Sequence, residues 1–280
     1  MRTQVEKGRA FRALHERETA FLVPNPWDVG TARLLARLGF EALATTSAGY
    51  AFSAGKQDYG IGRDEMLEHV GAIAMATALP VSADLESCYG DTPEAVADTI
   101  RLAAAAGVVG ASIEDTTERA DDPIHALPVA VERVRAAAEA ARSLRFPFTL
   151  TARAENYLWG RPDLDDTIRR LQAFQEAGAH VLYAPGLTSR EEVAAVVRAV
   201  DRPVNVVMGL RGVQLSLAEL SALGVKRVSV GSALSRAALG AFLRAAREML
   251  EHGTFTFAAD AIGYRELNGM FDPDCPDCPD

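Results

Sequence analysis

Residues 92–114 read TPEAVADTIRLAAAAGVVGASIE. The Thr-Pro pair that opens the stretch is typical of a helix start, and the alanine-rich segment after it favours a helix. Gly107 is the kind of residue that commonly ends a helix, and residues 110–113 form a short apolar run typical of a buried strand. The stretch therefore predicts a helix that turns at Gly107 into a strand ending beside Glu114.

The same unit recurs along the chain. A residue pair ending in glycine joins helix to strand again at Ala177-Gly178, with variants at Leu38-Gly39 and Leu223-Gly224. Further helices are predicted over residues 128–142, 163–177, 189–200 and 234–251. Short runs rich in apolar and β-branched residues predict eight strands, over residues 21–23, 42–45, 81–83, 110–113, 148–151, 181–183, 204–207 and 228–230.

Eight such alternating units predict a (β/α)₈ TIM-type barrel, an α/β fold of one domain. We place the barrel at residues 1–254 and a helical extension with an acidic tail at residues 255–280. A doubly wound open sheet is the alternative. No Gly-x-Gly-x-x-Gly follows a predicted strand, so a dinucleotide-binding fold lacks its main support.

Composition excludes several classes of protein. Of the 280 residues 49% are hydrophobic and 24% are charged, which is typical of a globular domain. The formal net charge of -9 argues against a nucleic-acid partner, because neutralising phosphates needs a basic face. No apolar run is long enough to cross a bilayer and no signal segment is recognised, so we predict a cytoplasmic protein without a membrane partner.

Four acidic residues follow apolar runs of the predicted barrel: Asp58, Asp84, Glu86 and Glu114. Single carboxylates at such positions are commonly helix caps or loop residues, but four together indicate a site for a hard cation. Oxygen ligands favour Mg²⁺, and Mn²⁺ is the alternative. The sequence therefore predicts a metal site built from these four residues.

The active sites of such barrels lie at the carboxyl ends of the strands. At those positions the sequence places Arg153 together with a set of predicted substrate-binding residues. The residues predicted to bind the substrate are Arg153, Trp27, Ser47, Ala48, Gly49, Tyr50 and Asp84. A cation, an arginine and a tight turn suit a small anionic substrate. For catalysis we single out Arg153, Asp58 and Glu114. The alternative for Arg153 is a structural ion pair with Glu155 or a neighbour.

Six motifs extend this pattern over most of the chain: Pro24-Asn25-Pro26-Trp27-Asp28, Thr46-Ser47-Ala48-Gly49, Lys56-Gln57-Asp58, Ser82-Ala83-Asp84-Leu85-Glu86, Ile113-Glu114-Asp115 and Thr151-Ala152-Arg153-Ala154-Glu155-Asn156. Together they resemble the isocitrate lyase and phosphoenolpyruvate mutase superfamily, from about residue 21 to residue 250. The resemblance implies a Mg²⁺-dependent barrel that acts on 2-oxo acids, in most members through an enolate of pyruvate.

Site roles follow from the resemblance position by position. It implies that Asp84 is the direct metal ligand and that Asp58, Glu86 and Glu114 hold metal-bound waters. It further implies that Ser47 and its neighbours bind a substrate carboxylate, while Arg153 neutralises the oxo-acid end.

Three departures distinguish this chain within the superfamily. Isocitrate and methylisocitrate lyases carry a Lys-x-Cys-Gly-His loop after strand four, whereas residues 116–122 here read TTERADD and contain no cysteine. The Lys-Thr-Asn-Ser gate of the mutases is also missing. Ala184-Pro185-Gly186 stands where methylisocitrate lyases place a glutamate, which indicates an altered pocket for a second carboxylate.

Three functions remain open from the sequence. We favour a Mg²⁺-dependent lyase that cleaves or forms a carbon–carbon bond of a 2-oxo acid or a 2-hydroxy polycarboxylate through a metal-stabilised enolate. The alternatives are a mutase or hydrolase acting on the phosphorus–carbon bond of a phosphonate, and a non-catalytic 2-oxo acid binding protein. No general acid is evident, and His125 and Tyr50 are the candidates for that role.

The segment after the eighth unit contains more apolar residues than a closed barrel needs. Residues 255–271 include several aromatic side chains, which predicts burial against a partner subunit. The superfamily resemblance implies the same, with the last barrel helix exchanged between subunits. We predict a homo-oligomer, a dimer or a tetramer. The alternative is that residues 255–271 fold back across the bottom of their own barrel.

Cys275 and Cys278 lie in an acidic, proline-broken tail, where a zinc site would need two more ligands, so we predict no zinc site there. Cys88 is predicted to be a small buried residue, with a reactive thiol as the alternative.

Overall fold

Eight parallel strands form the central sheet of the computed structural model, which describes residues 2–210 and 214–272. The hydrogen-bonded order of the strands is β1-β8-β7-β6-β5-β4-β3-β2. The gap between β1 and β2 is bridged by the Ala44 amide, which donates to the Pro24 carbonyl oxygen at 3.1 Å. The strands are β1 (Phe21–Val23), β2 (Leu43–Ala44), β3 (Val81–Asp84), β4 (Gly110–Glu114), β5 (Thr149–Arg153), β6 (Val181–Tyr183), β7 (Val204–Val207) and β8 (Arg227–Ser229). This confirms the predicted (β/α)₈ barrel.

Helices alternate with these strands. Those of residues 2–210 are α1 (Gln4–His15), α2 (Val29–Arg37), α3 (Ser47–Ser53), α4 (Arg63–Met75), α5 (Pro93–Ala105), α6 (Leu127–Arg142), α7 (Leu164–Ala177) and α8 (Arg190–Ala199). Those of residues 214–272 are α9 (Leu217–Ala222), α10 (Ala233–His252) and α11 (Tyr264–Gly269), with a 3₁₀ turn at Thr256–Ala259. No helix of these two segments is long and apolar enough to cross a membrane.

The helix ends follow the sequence signals. The side chains of Thr92, Asp163 and Ser189 accept hydrogen bonds from backbone amides of the first helical turns. These residues are therefore N-caps outside the helices that they were predicted to begin. Gly107 and Gly178 adopt φ angles of 106° and 110°, a left-handed conformation that glycine tolerates best. The predicted boundaries are correct to within a residue or two.

Helix α1 lies under the amino-terminal end of the barrel. The side chains of Phe11 and Leu14 are buried in a cluster with Phe21 and Val109, which stand at the starts of β1 and β4. The Lys7 ammonium donates to the carbonyl oxygens at the carboxyl end of α4, at 2.7 and 2.9 Å. Helix α1 therefore closes one end of the barrel, and the carboxyl ends of the strands form the other.

Gly8 tests this closure. A methyl group at Gly8 collides with the carbonyl oxygen of Pro147, whose backbone is not free to move aside. We expect Gly8→Ala to lower the free energy of unfolding by about 1–3 kcal/mol through overpacking, measured by urea denaturation. Gly30→Ala in α2 is the control, because its nearest contact is 3.4 Å and the change stays within about 1 kcal/mol. Equal stabilities of the two variants would show that α1 does not seal the barrel.

Candidate functional site

Three charged side chains end three adjacent strands. Asp84 is the last residue of β3, Glu114 of β4 and Arg153 of β5. The parallel register pairs Asp84 with Ser112 and Glu114 with Arg153. Because the carboxyl ends of parallel strands open on the same face, the barrel brings these side chains together, as the sequence predicted.

Arg153 is the centre of this group. Its Nη1 atom lies 2.7 Å from a Glu114 oxygen and 3.1 Å from a carboxylate oxygen of Asp84, and its Nε atom donates to Glu155 at 2.7 Å. The guanidinium also lies over the Tyr183 ring, 4.9 Å from its centroid. Nη2 takes part in none of these ion pairs. The structural ion pair with Glu155 therefore exists, and Arg153 retains donor capacity for a ligand.

The Asp84 carboxylate is held by residues of the neighbouring strands. One oxygen accepts from both the amide and the hydroxyl of Ser47, each at 3.0 Å, and the other accepts from the Ser112 hydroxyl at 3.1 Å. The Asp84 amide donates to Thr45 Oγ1 at 2.9 Å. These bonds fix the direction of the carboxylate, which is the requirement for a preorganised metal ligand.

Carboxyl groups outnumber the one arginine in the cluster. Burial, followed by the charges of Asp84, Glu118 and Asp58, raises the pKa of Glu86 to about 8. Asp58 lies at the rim, where its side chain keeps access to solvent. Desolvation by the surrounding protein, followed by the charge of Asp84, raises the pKa of Asp58 to about 6. Desolvation is the larger cause of both shifts and neighbouring carboxylates add to it, so a cation at this position would lower both pKa values.

Glu114 and Glu155 lie deeper. Burial raises the pKa of both carboxyls above its ordinary value, against the lowering effect of Arg153. Burial by itself lowers the pKa of Arg153, but the surrounding carboxylates outweigh it and raise that pKa. The arginine is therefore permanently charged at the bottom of the site.

The donor set fits a Mg²⁺ ion held by few direct contacts. Glu86 is 1% exposed, and its Oε1 atom is buried with no hydrogen-bond partner, so a ligand or water is required there. Within residues 2–210 and 214–272 no three His, Cys, Asp or Glu side chains converge closely enough to coordinate an ion directly. Mg²⁺ commonly keeps several waters and uses one or two direct carboxylates, so it does not require three converging ligands.

Comparisons with known proteins agree with this geometry. The sequence model described as phosphoenolpyruvate phosphomutase matches residues 11–250. This chain belongs to the phosphoenolpyruvate phosphomutase family. A solved structure of a Burkholderia cenocepacia J2315 protein is 65% identical, with a TM-score of 0.94, and the match covers 97% of this chain and 98% of that one.

Two relatives carry named activities. The 2-methylisocitrate lyase of Escherichia coli is 29% identical over 205 residues, which are 70% of this chain and 68% of that protein. A structure of oxaloacetate acetylhydrolase with its product oxalate is 27% identical, with a TM-score of 0.84, and the match covers 94% of this chain and 93% of that one. The resemblance to the isocitrate lyase and phosphoenolpyruvate mutase superfamily is confirmed.

Some predicted site residues of this family member lie elsewhere or are already engaged. Residues 47–50 begin helix α3 instead of forming the predicted tight turn with free backbone amides, because the Thr46 side chain caps that helix by accepting from the Gly49 amide. Two of the amides expected to face a substrate, those of Ser47 and Gly49, therefore have partners within the protein. Ala48 follows Ser47 in the same helical turn.

Trp27 and the two candidate acids are also placed by the structure. The Trp27 amide donates to Thr31 Oγ1, and its Cβ packs against Gly49. Tyr50 stacks on His69 of α4, with ring centroids 3.6 Å apart, so its ring is engaged outside the Arg153 cluster. The His125 amide and carbonyl bond to Asp115 and Arg170, and its buried Nε2 atom has no hydrogen-bond partner.

The loop after β4 is a short hairpin in this family member. Thr116 pairs with Ile124 in an antiparallel bridge, and the Thr117 amide donates to the Pro123 carbonyl oxygen at 2.8 Å. Cys88 is the only cysteine among the described residues, and it is fully buried. Burial raises the pKa of its thiol to about 12. It is a packing residue, as predicted. Cys275 and Cys278 lie outside the described residues.

The sequence analysis missed two aromatic residues near the cluster. The Tyr59 hydroxyl donates to a Glu114 oxygen at 3.0 Å, and the Tyr59 ring contacts Trp159. The position of Tyr59 directly after Asp58 was the available signal. Trp159 lies four residues after Glu155, in a loop without a periodic pattern that would indicate its direction.

Asp84→Asn tests the metal site. The amide keeps the shape of the side chain but removes the charge that we expect to contact the ion directly. We expect the affinity for Mg²⁺, measured by titration calorimetry, to fall at least about 100-fold. Asp98→Asn is the control, because Asp98 pairs with Arg101 on the exposed face of α5. An Asp84→Asn variant with wild-type Mg²⁺ affinity would remove this residue from the site.

Proposed function

We propose that this protein is a Mg²⁺-dependent lyase that cleaves or forms a carbon–carbon bond of a 2-oxo acid or a 2-hydroxy polycarboxylate, through an enolate. The observation that carries the proposal is the position of Arg153 among Asp84, Glu114 and Glu155, at the mouth of the barrel and in a surplus of carboxylates. That arrangement favours a cation and an anionic substrate in the same place.

The charge that develops during the reaction matches this site. When a carbon–carbon bond next to a carbonyl breaks, its electron pair moves toward the carbonyl oxygen, which becomes negative. A divalent ion supplies Lewis-acid stabilisation of that charge. Asp84 would hold the ion directly, and Asp58, Glu86 and Glu114 would bind its waters. Mn²⁺ has similar ligand preferences and remains an alternative.

Arg153 would orient the substrate. Its Nε and Nη1 atoms are fixed by carboxylates of the protein, so the guanidinium keeps one orientation. Nη2 would then donate to a substrate carboxylate, and a lysine has no equivalent fork of donors. The Ser47 amide and hydroxyl would instead hold the Asp84 carboxylate in place, because both donate to it at 3.0 Å.

The named relatives support the kind of reaction. One is a 2-methylisocitrate lyase, and another is an oxaloacetate acetylhydrolase whose product is oxalate. The loop after β4 separates this chain from isocitrate lyases, because residues 116–122 provide no thiol and Cys88 is buried with a raised pKa. We therefore propose a lyase that does not use a cysteine.

A substrate panel tests this function. We expect the protein with Mg²⁺ to release pyruvate or CO₂ from at least one 2-oxo acid or 2-hydroxy polycarboxylate, and Asp84→Asn to abolish that turnover. Isocitrate and 2-methylisocitrate should stay below about 1 s⁻¹, the low end of ordinary enzymes. Turnover of phosphonopyruvate alone would favour phosphorus–carbon chemistry. Mg²⁺-dependent binding without turnover of any compound would favour a binding protein.

We also propose a homo-oligomer, because helix α10 is poorly covered by its own barrel. Of its 20 residues, Ser235 is buried, whereas Phe242 is 66% exposed and Leu250 is 87% exposed. Leu239, Leu243 and Met249 are exposed as well. A second copy of the chain that receives this helix would bury these side chains, and helix exchange achieves this with contacts typical of a barrel.

Phe242→Glu tests the assembly. A charge in the apolar stripe of α10 opposes burial against a second subunit, so we expect light scattering to show a dimer or tetramer for the wild type and a smaller species for this variant. Arg101→Glu on the exposed face of α5 is the control and should keep the wild-type mass. A wild-type mass near the 29.9 kDa of one chain at micromolar concentration would contradict the proposal.

A further inference from the structure

Two aromatic side chains from different loops meet beside the charged cluster. Tyr59 lies in the loop between α3 and α4, and Trp159 lies in the loop between β5 and α7. Their ring centroids are 6.2 Å apart, with 41° between the ring planes. Aromatic rings at this separation attract each other, and each ring offers an apolar face to a ligand group. We refer to Tyr59 and Trp159 as the aromatic pair.

Both members of the aromatic pair are attached to residues that hold Arg153. The Tyr59 hydroxyl donates to one oxygen of Glu114, whose other oxygen contacts Arg153. The Trp159 amide donates to the carbonyl oxygen of Glu155 at 3.2 Å, and the Glu155 side chain accepts from Arg153. The aromatic pair therefore has a fixed position relative to the guanidinium that we expect to orient the substrate.

The backbone at Tyr59 indicates that this position is specified. Tyr59 has a φ angle of 61°, a left-handed conformation that is uncommon for a residue with a large side chain. Neighbouring Gly60 adopts no such angle, although glycine tolerates it at little cost. Non-glycine residues in this conformation cluster at ligand-binding sites, where surrounding contacts hold them.

The charges around the aromatic pair oppose a second anionic group on the substrate. The cluster contains the carboxyl groups of Asp58, Asp84, Glu86, Glu114 and Glu155, and Arg153 already pairs with three of them. A substrate carboxylate beside Tyr59 would face Glu114 without a cation of its own and would lose hydration against the rings. An apolar group at the same place gains contact with both rings.

We propose that the aromatic pair determines specificity, by favouring substrates whose leaving part carries an uncharged, apolar group over substrates with a second carboxylate at that position. This inference rests on the proposed function and narrows it to one substrate class. Tyr59 and Trp159 act by contact with the substrate chain, while the metal and Arg153 bind the oxo-acid or hydroxy-acid end.

Two ligands of equal size test the proposal. Malate and 2-hydroxy-4-methylpentanoate share the hydroxy-acid end and have the same number of non-hydrogen atoms, but the second carboxylate of malate is replaced by an isopropyl group. We expect titration calorimetry with Mg²⁺ to show that the wild type binds 2-hydroxy-4-methylpentanoate at least tenfold more tightly than malate. Oxalate with Mg²⁺ serves as a probe of the metal and Arg153 end alone.

Variants locate the source of the preference. We expect Tyr59→Ser and Trp159→Ser each to reduce the preference to less than threefold, and Trp159→Ser to change the affinity for oxalate by less than threefold. Tyr59→Ser also removes the hydrogen bond to Glu114, and Tyr59→Phe measures the effect of that loss alone. Tyr59→Phe keeps the ring and should keep most of the preference. Tyr157→Phe is the matched control, since it removes a comparable tyrosine–glutamate hydrogen bond, 2.9 Å to Glu192, from the same loop as Trp159.

The outcomes separate this proposal from the proposed function. Equal binding of the two ligands by the wild type, or tighter binding of malate, overturns the specificity role even if oxalate binds well. A preference that survives in both serine variants also overturns it. If a serine variant does not fold, as judged by its circular dichroism, the comparison of malate with 2-hydroxy-4-methylpentanoate on the wild type still decides. Failure of oxalate to bind with Mg²⁺ would instead count against the proposed function.

Discussion

The Arg153 guanidinium, buried among the carboxylates of Asp84, Glu114 and Glu155, is the interaction on which the site depends. A charged side chain loses its hydration when it is buried, and only close partners of opposite sign offset that cost. Removing one partner of such a group typically costs about 3–5 kcal/mol, because the other charge is left unpaired. Asp58 and Glu86 add two carboxyls beyond those three ion pairs, and desolvation, followed by the charge of Asp84, raises the pKa of each. A divalent cation is the natural counter-charge.

The barrel brings Arg153 and its carboxylate partners together while keeping them largely buried from solvent. Strands β3, β4 and β5 are adjacent; Glu114 pairs with Arg153, and Asp84 pairs with Ser112, two residues before Glu114. The carboxyl ends of these strands open on the same face, so the three charged side chains meet there. Helix α1 closes the opposite end, where Phe11 and Leu14 pack against the starts of the strands. One end of the barrel is therefore closed by packed apolar side chains, and the other end holds the charged cluster. The loops after β2 and β5 then add the aromatic pair above the charged residues.

The sequence alone predicted the barrel and the strand-end charges, because both depend on local patterns. Apolar runs between alanine-rich helices indicate strands, and Asp84, Glu114 and Arg153 are the residues at which three of those runs end. The directions of side chains in the loops were harder to predict from the sequence. Tyr50 was expected at the substrate but stacks on His69, because residues 47–53 continue as a helix that directs it toward α4. Tyr59 was missed because its place beside Glu114 depends on a left-handed backbone angle with no sequence signature outside glycine.

The central claim is that a metal ion and Arg153 bind one anionic ligand together. It is tested most directly by titrating oxalate into the protein in the presence and absence of Mg²⁺. Oxalate resembles the planar, negatively charged end of an enolate, and both the ion and Arg153 have to contact it. We expect Mg²⁺ to increase the affinity for oxalate at least tenfold, a coupling of about 1.4 kcal/mol, and oxalate to increase the affinity for Mg²⁺ by the same factor. Oxalate affinity that is independent of Mg²⁺ would contradict the account.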